Sequence, residues 1–302
     1  MAHHENIIGR FAPSPTGPLH FGSLVAAVGS YCLARQAGGA WLLRMEDIDS
    51  PRVVPGAAES ILSDLEAFGF EWDGEVLFQS TRFERYDEIL ARLREKGLLF
   101  DCGCSRREIL ASAPHPGEEG PRYPGTCRQG LAPGRQPRSQ RLLVPDGLFC
   151  FTDGVFGPVE QHLADAVGDF VLKRADGIFA YQLAVVVDDV DSGVNQVVRG
   201  ADLLSSTARQ IYLYACLDMP IPQYVHLPIA LGPDHEKLSK RHGDYGLDDE
   251  NRSFSLWRVL RFLGQPVPDE IRHLPAGEVL RWGIENFQIN SIPQVSSRPD
   301  AL

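Results

Sequence analysis

The 302-residue sequence predicts an α/β protein built on a mainly parallel β-sheet. Three observations support this class. Apolar runs of strand length alternate with segments of helical periodicity over residues 7–100. The same alternation returns over residues 169–231. Between them, residues 101–140 show no periodicity and are rich in proline, glycine, arginine and cysteine, which indicates an insertion rather than a core segment.

Composition restricts the class of function. The formal net charge is −11, whereas a protein that binds nucleic acid mainly through its phosphates is usually basic, so any RNA site here must concentrate positive charge locally. No apolar run is long enough to span a membrane, and no secretory leader precedes the first predicted strand. We therefore expect a cytoplasmic monomer with reduced thiols and no membrane partner.

The first element is a strand over residues 7–11, followed by a proline-rich loop and a helix that begins at Ser23. A helix N-terminus offers unpaired N–H groups and a positive dipole end. Gly22 lets an anion approach the backbone, Ser23 is a good N-cap, and His20 adds a hydrogen-bond donor for a phosphate. The alternative is an ordinary strand-to-helix turn with a surface histidine.

Residues 40–45 form a second apolar strand, and Glu46 follows it directly. Open α/β sheets bind ligands at the carboxyl ends of their strands, so Glu46 is a candidate binding residue. The alternative is an acidic cluster that caps the next helix. Residues 56–69 and 84–96 have the spacing of amphipathic helices.

Three cysteines in the insertion, Cys102, Cys104 and Cys127, predict a metal site. A loop-rich segment too poor in apolar residues to form a core often needs a bound metal. His115 is a possible fourth ligand, and three ordinary reduced thiols are the alternative. The other cysteines, Cys32, Cys150 and Cys216, lie in apolar contexts and are expected in the core.

Residues 141–162 predict short antiparallel strands, and the sheet pattern resumes at residues 169–174. The segment 178–190 carries Tyr181 and leads into an acidic run of Asp188, Asp189 and Asp191. This run could bind a metal ion, but a solvated helix end is the interpretation that we favour.

Residues 194–199 predict another strand, and Arg199 lies at its end. Arg199 and Arg10 could together clamp a small carboxylate through bidentate hydrogen bonds, or they could be structural arginines in salt bridges. A helix over residues 203–217 and a strand over residues 224–231 follow.

The strand leads into a Gly-Pro turn and two lysines, Lys237 and Lys240. Paired lysines on a loop suit a polyphosphate whose charge shifts during reaction, although most such runs are solvated basic patches. Residues 256–263 form an amphipathic helix that ends at Gly264, and residues from about Gln288 onward are expected to be irregular.

Two of these segments, residues 18–23 (Pro-Leu-His-Phe-Gly-Ser) and 237–241 (Lys-Leu-Ser-Lys-Arg), resemble the two signature motifs of class I aminoacyl-tRNA synthetases. The sequence around them, in residues 10–20, 44–49 and 198–202, is similar to the glutamyl-tRNA synthetase branch. The resemblance covers residues 7–243.

The resemblance implies a Rossmann-like class I synthetase catalytic domain with a zinc-stapled insertion and a short helical C-terminal tail. On this basis we expect two catalytic halves at residues 1–100 and 166–243. An acceptor-binding-like insertion would occupy residues 101–165, and residues 244–302 would form the tail, without an anticodon-binding domain.

The resemblance also implies the chemistry. Glutamate would attack the α-phosphate of ATP, with Mg²⁺ accompanying the nucleotide, to give glutamyl-adenylate and pyrophosphate. The implied catalytic residues are His20, Lys237 and Lys240, and the implied ATP contacts are His20, Gly22, Ser23 and Lys240. The implied glutamate contacts are Arg10, Phe11, Ala12, Pro13, Ser14, Glu46, Tyr181 and Arg199. The implied fourth zinc ligand is Tyr123, because the family uses a tyrosine there. One departure is that Ser23 stands where the class has a second histidine.

Glutamyl-tRNA synthetases continue beyond the lysine loop into an anticodon-binding region, whereas only residues 244–302 follow it here. The resemblance is therefore to the truncated glutamyl-Q paralogues, and it implies that glutamate is attached to queuosine in the anticodon loop of tRNA(Asp). Activation of glutamate without tRNA is expected. The alternatives are a glutamyl-tRNA synthetase that acts at the tRNA 3′ end and a non-catalytic, zinc-containing binding module.

Overall fold

A computed structural model describes residues 6–112, 121–232 and 251–299. The strands are β1 (Ile8–Phe11), β2 (Ala40–Met45), β3 (Leu77–Phe78), β4 (Leu99–Cys102), β5 (Ser139–Leu142), β6 (Leu148–Asp153), β7 (Gly157–His162), β8 (Val171–Lys173), β9 (Gln196–Gly200), β10 (Gln223–Leu227), β11 (Ile229–Leu231) and β12 (Ser297–Pro299). The α-helices are α1 (Phe21–Gln36), α2 (Ala57–Phe68), α3 (Phe83–Glu95), α4 (Arg106–Ser112), α5 (Leu163–Ala166), α6 (Tyr181–Asp191), α7 (Thr207–Cys216), α8 (Arg252–Phe262) and α9 (Ala276–Asn286).

The central strands are parallel, which confirms the predicted class. Strand β2 pairs in parallel with β1 on one side and β3 on the other. Strands β9 and β10 pair in parallel over their full length, in the order β7-β6-β10-β9. Strand β9 runs beside β1, where the Asn195 N–H donates to the Ile8 carbonyl at 3.1 Å. The carboxyl ends of β1, β2, β9 and β10 therefore meet at one edge, which is where the site lies.

The segment from β4 to β8 contains antiparallel pairs. Strand β5 pairs with β4 and β8, and β6 forms a hairpin with β7. This confirms the antiparallel strands predicted over residues 141–162. The short helix α4 was not predicted, because only one of its residues, Ile109, is buried.

Helices α8 and α9 pack on α1 and share its core. Leu256, Val259 and Val279 are fully buried there together with Leu24. Moreover, β12 pairs in parallel with β11, so the expectation of an irregular segment from Gln288 onward was wrong at the end of the described residues. The small apolar content of residues 288–299 concealed this strand, because backbone hydrogen bonds hold it.

Two further expectations need correction. The strand predicted over residues 224–231 is two strands, since Pro228 has no N–H to donate to a ladder. Cys150 is exposed, because it lies on the outward face of the alternating hairpin strand β6, whereas Cys32 and Cys216 are buried as expected. None of the helices in the described segments has the length and apolar character that a membrane crossing requires.

Candidate active site

A cavity of about 640 Å³ opens at the carboxyl ends of the parallel strands. Its lining includes each glutamate and ATP contact that the sequence analysis named within the described residues: Arg10, Phe11, Ala12, Pro13, Ser14, His20, Gly22, Ser23, Glu46, Tyr181 and Arg199. Lys237 and Lys240 lie outside the described residues. The N–H of Glu46 donates to the Pro13 carbonyl at 2.9 Å, which ties the segment after β2 to the loop after β1.

The helix at the cavity begins earlier than predicted. Helix α1 starts at Phe21, and His20 rather than Ser23 is its N-cap, with its Nδ1 accepting from the Ser23 N–H at 3.4 Å. The buried Phe21 ring, which packs edge-on against Phe262, anchors this first turn in the core. Ser23 Oγ lies 3.0 Å from His20 Nε2, so Ser23 orients the imidazole instead of capping the helix.

Asp188 and Asp189 of the acidic run are buried, so the expectation of a solvated helix end was wrong for them, whereas Asp191, the last residue of α6, is exposed. Asp189 accepts from Arg10 Nε at 3.3 Å and also from Arg44, and both arginines come from neighbouring strands of the sheet. Asp188 accepts from Tyr86 and from Gln79, each at 2.8 Å. Burial raises the pKa of Asp189, but Arg44 and Arg10 more than offset it and hold the pKa below its ordinary value.

Arg199 has a different set of partners. All the partners of its guanidinium are uncharged: His226 Nε2 at 3.1 Å, Gln210 Oε1 at 2.7 Å, Thr207 Oγ1 at 2.9 Å, the Leu203 carbonyl at 3.3 Å and the Tyr181 hydroxyl at 3.4 Å. Within the described segments, no carboxylate forms a salt bridge with it. A buried cation held by neutral groups beside a cavity favours an anionic ligand there.

The sequence left two interpretations open for these arginines, a structural salt bridge and a carboxylate clamp, and the structure favours the first for Arg10 and the second for Arg199. Arg10 is a paired arginine that still lines the cavity, whereas Arg199 has the unpaired charge that a carboxylate clamp requires. Glu46 is 11% exposed in the same lining and accepts from Arg44 Nη2 at 3.3 Å. Burial raises its pKa, and Arg44 and Arg10 only partly oppose this.

The three cysteines of the insertion form a cluster that could hold a metal ion. The Sγ atoms of Cys102, Cys104 and Cys127 all lie within 4.8 Å of one another. The Tyr123 hydroxyl lies 3.4 Å from Cys102 Sγ and accepts from the Cys127 N–H at 2.9 Å. His115 lies outside the described residues.

The electrostatics of Cys102 favour a thiolate. Burial raises the pKa of the Cys102 thiol. Hydrogen bonds with Tyr123, the Cys104 backbone and Arg141 lower it by more, so that the pKa falls below its ordinary value. A metal-binding thiol must be deprotonated, so the shift of Cys102 is in the direction that a metal site needs, whereas burial and the neighbouring thiols raise the pKa of Cys104 to about 11.

Sequence reasoning missed three polar groups around the site: Asp153, His226 and Arg44. His226 and Asp153 are almost completely buried and hydrogen-bond to each other, and His226 also accepts a hydrogen bond from Arg199. The available signal was a histidine in the otherwise apolar segment 224–231, which alternation alone cannot distinguish from a core residue.

The chain matches the family model of tRNA synthetases class I (E and Q), catalytic domain, over residues 6–273. It is 58% identical over 289 residues to a glutamyl-Q tRNA(Asp) synthetase of Dechloromonas aromatica, covering 95% of this chain and 96% of the relative. A glutamyl-Q tRNA(Asp) synthetase of Geobacter sulfurreducens is 54% identical over 298 residues, covering 96% of this chain and 95% of the relative.

Solved structures share the fold. A glutamate tRNA ligase from Elizabethkingia meningosepticum, crystallised in complex with its amino acid, superposes with a TM-score of 0.80 at 25% identity. The match covers 96% of this chain and 66% of that protein, so the chain spans about two thirds of its length.

Proposed function

The chain belongs to the glutamyl-Q tRNA(Asp) synthetase family of class I tRNA synthetases, and we propose that it activates L-glutamate with ATP and transfers it to queuosine in the anticodon loop of tRNA(Asp). In the first step a glutamate carboxylate oxygen attacks the α-phosphorus of ATP, and pyrophosphate leaves. In the second step a hydroxyl of the queuosine cyclopentenediol attacks the activated carbonyl, and AMP leaves.

The observation that carries this proposal is the unpaired charge of Arg199 in a cavity that also holds Glu46. Glutamate has two carboxylates and one ammonium group. Arg199 and Arg10 offer cationic contacts to the carboxylates, and Glu46 offers a partner for the ammonium group. The relative that was crystallised with its amino acid supports an amino-acid site in this fold.

The ATP contacts follow from the start of α1. His20, Gly22 and Ser23 line the cavity at the helix N-terminus, where N–H groups and the helix dipole favour phosphate. Lys237 and Lys240, outside the described residues, are proposed to stabilise the charge that develops on the phosphates, and Mg²⁺ would accompany the nucleotide. No residue needs to act as a covalent nucleophile.

We also propose that Cys102, Cys104, Cys127 and Tyr123 hold one structural Zn²⁺. A tetrahedral ion with Zn–S bonds of about 2.3 Å places its sulfur ligands roughly 3.8 Å apart. Cys104 Sγ and Cys127 Sγ are 3.7 Å apart, and the Tyr123 oxygen is close to Cys102 at 3.4 Å. All four ligands lie within the predicted insertion of residues 101–165, so the ion would hold that insertion together internally, between the two catalytic halves, 1–100 and 166–243. Residues 244–302 would form the helical tail, and the protein would be a monomer.

Two experiments test the function. Pyrophosphate exchange with glutamate and ATP should proceed without tRNA, and a dependence on added tRNA would contradict independent activation. Labelled glutamate should then appear on queuosine-containing tRNA(Asp) whose 3′-terminal adenosine has been removed, and not on the same tRNA with unmodified guanine. Anticodon-loop bases are unpaired and accessible to a protein pocket. If removal of the 3′ adenosine abolishes transfer, the acceptor is the 3′ end and the proposal is wrong.

A further inference from the structure

Three buried side chains connect the inserted hairpin to the substrate arginine. Asp153, at the end of β6, lies 2.6 Å from His226 Nδ1, and Arg199 Nε donates to His226 Nε2 at 3.1 Å. His226 and Arg199 are directly paired across β10 and β9, so the sheet register fixes their side chains next to each other. All three side chains are at most 5% exposed.

This geometry determines the state of the imidazole. Arg199 Nε can only donate, so His226 Nε2 must be an unprotonated acceptor. The proton of the neutral ring is then on Nδ1, where Asp153 accepts it. Thr207 Oγ1, 3.3 Å from His226 Nε2, also accepts from Arg199 Nη2 at 2.9 Å, so it supports the same guanidinium orientation.

Asp153 is itself held by the backbone of the hairpin turn. Its Oδ1 accepts from the N–H groups of Val155 at 2.9 Å and Phe156 at 3.0 Å. Its other oxygen is the one that faces His226. The carboxylate therefore cannot rotate away without breaking the turn between β6 and β7.

We propose that His226 is a positioning residue for Arg199, and that Asp153 holds it in the Nδ1-protonated tautomer. The inference rests on the proposed function, because it assigns Arg199 a substrate carboxylate. A guanidinium whose Nε is anchored is held in one orientation, in which each terminal nitrogen keeps two uncharged partners at the wall of the cavity. If the ring instead carried its proton on Nε2, that N–H would face the Arg199 Nε–H, and the arginine would have to turn away.

Steady-state exchange kinetics of Asp153→Asn and His226→Gln test the proposal. An asparagine amide can donate to Nδ1 and so drive the proton to Nε2, whereas the glutamine keeps an acceptor near the Nε2 position. We expect Asp153→Asn to raise the KM for glutamate by about 10- to 100-fold, the scale of one hydrogen bond to a charged group. His226→Gln should be several-fold milder, and the KM for ATP should change little in both variants.

His273→Gln is the matched control, since His273 is exposed and bonds only to Arg272 among the described residues. Its glutamate KM should equal that of the wild type. If Asp153→Asn raises the two KM values equally, or leaves both unchanged in a folded protein, His226 has no positioning role.

A second measurement uses the wild-type protein alone. Long-range ¹H–¹⁵N correlation of the imidazole rings reports which nitrogen of His226 is protonated. We expect the proton on Nδ1, and a proton on Nε2 would overturn the inference even if both variants failed to fold. This readout is independent of catalysis, so an inactive wild-type protein would contradict the proposed function without affecting the tautomer result.

Discussion

The carboxylate of Asp189 accepts a hydrogen bond from Arg10 Nε at 3.3 Å, and the two side chains are 1% and 4% exposed. Arg44 shares the same carboxylate oxygen. One carboxylate therefore serves two buried arginines, which leaves Arg199 as an arginine of the cavity that no described carboxylate neutralises. This difference is why the site favours an anion at Arg199.

Asp189→Asn should destabilise the fold strongly. It keeps the shape of the side chain but leaves Arg10 and Arg44 without their shared negative charge. Breaking one partner of a buried ion pair costs about 3–5 kcal/mol. Urea denaturation should show this loss. The control Asp146→Asn, on a 91% exposed side chain, should stay within about 0.5 kcal/mol of the wild type. A loss below about 1 kcal/mol for Asp189→Asn would contradict the role of this carboxylate.

Glu46→Gln should raise the thermal stability at pH 7 and weaken the binding of glutamate. Burial raises the pKa of Glu46, so the folded protein binds this proton more tightly than the unfolded chain does. The corresponding stability is present below the unfolded pKa and is lost as the pH rises through the folded one. Glutamine stays neutral, so we expect a higher melting temperature than that of the wild type at pH 7, and a difference that disappears below the unfolded pKa. The KM for glutamate should nevertheless rise at least tenfold, because the ammonium partner is lost.

A lower melting temperature of Glu46→Gln at pH 7 would mean that the ionised carboxylate is needed to balance Arg44. An unchanged glutamate KM would remove Glu46 from the binding site. The two readouts are independent, so thermal unfolding and exchange kinetics should be measured on the same preparation.

Ser23→Ala should weaken the ATP site. Ser23 Oγ is 3.0 Å from His20 Nε2 and holds the imidazole over the start of α1. Loss of one neutral hydrogen bond corresponds to about a 2- to 10-fold effect, which we expect in the KM for ATP. Ser30→Ala is the comparison, because Ser30 lies on the same helix but bonds to the Ala26 carbonyl and to Trp41. An effect of Ser23→Ala on the glutamate KM alone would contradict the assignment.

Metal content tests the cysteine cluster. Purified protein should contain about one equivalent of zinc, and Tyr123→Phe should release it to a chelator faster than the wild type does. Cys127→Ser should lose most of the metal. Cys150→Ser is the control, because this exposed thiol lies outside the cluster. Less than about half an equivalent in the wild type, or full retention in Cys127→Ser, would contradict the site.

Most of the cavity lining could be predicted because contiguous motifs supply it. Residues 10–14 span the end of β1 and the loop after it, and Glu46 follows β2, so strand ends in a parallel sheet bring them together. The burial of Asp189 could not be predicted in this way. Its partners Arg10 and Arg44 are 179 and 145 residues away along the chain, and a local charge run looks the same whether solvent or arginines neutralise it.

The hydrogen bonds that connect Asp153, His226 and Arg199 could not be predicted from the sequence for a related reason. His226 faces Arg199 only because β10 and β9 pair in one register, and a shift of one residue would send its side chain to the opposite face. Cys150 shows the converse. Its apolar neighbours suggested burial, but the hairpin that carries it has one outward face.

The packing of α1 against α8 and α9 has a consequence for biosynthesis. The helix that carries His20, Gly22 and Ser23 is complete after 36 residues, yet its buried partners Leu256, Val259 and Val279 are translated more than 200 residues later. The part of the apolar face of α1 that these residues cover therefore lacks its native partners until the last helices have been translated. The helix start for which we propose ATP binding is among the first parts to be synthesised, and its native packing is among the last to be completed.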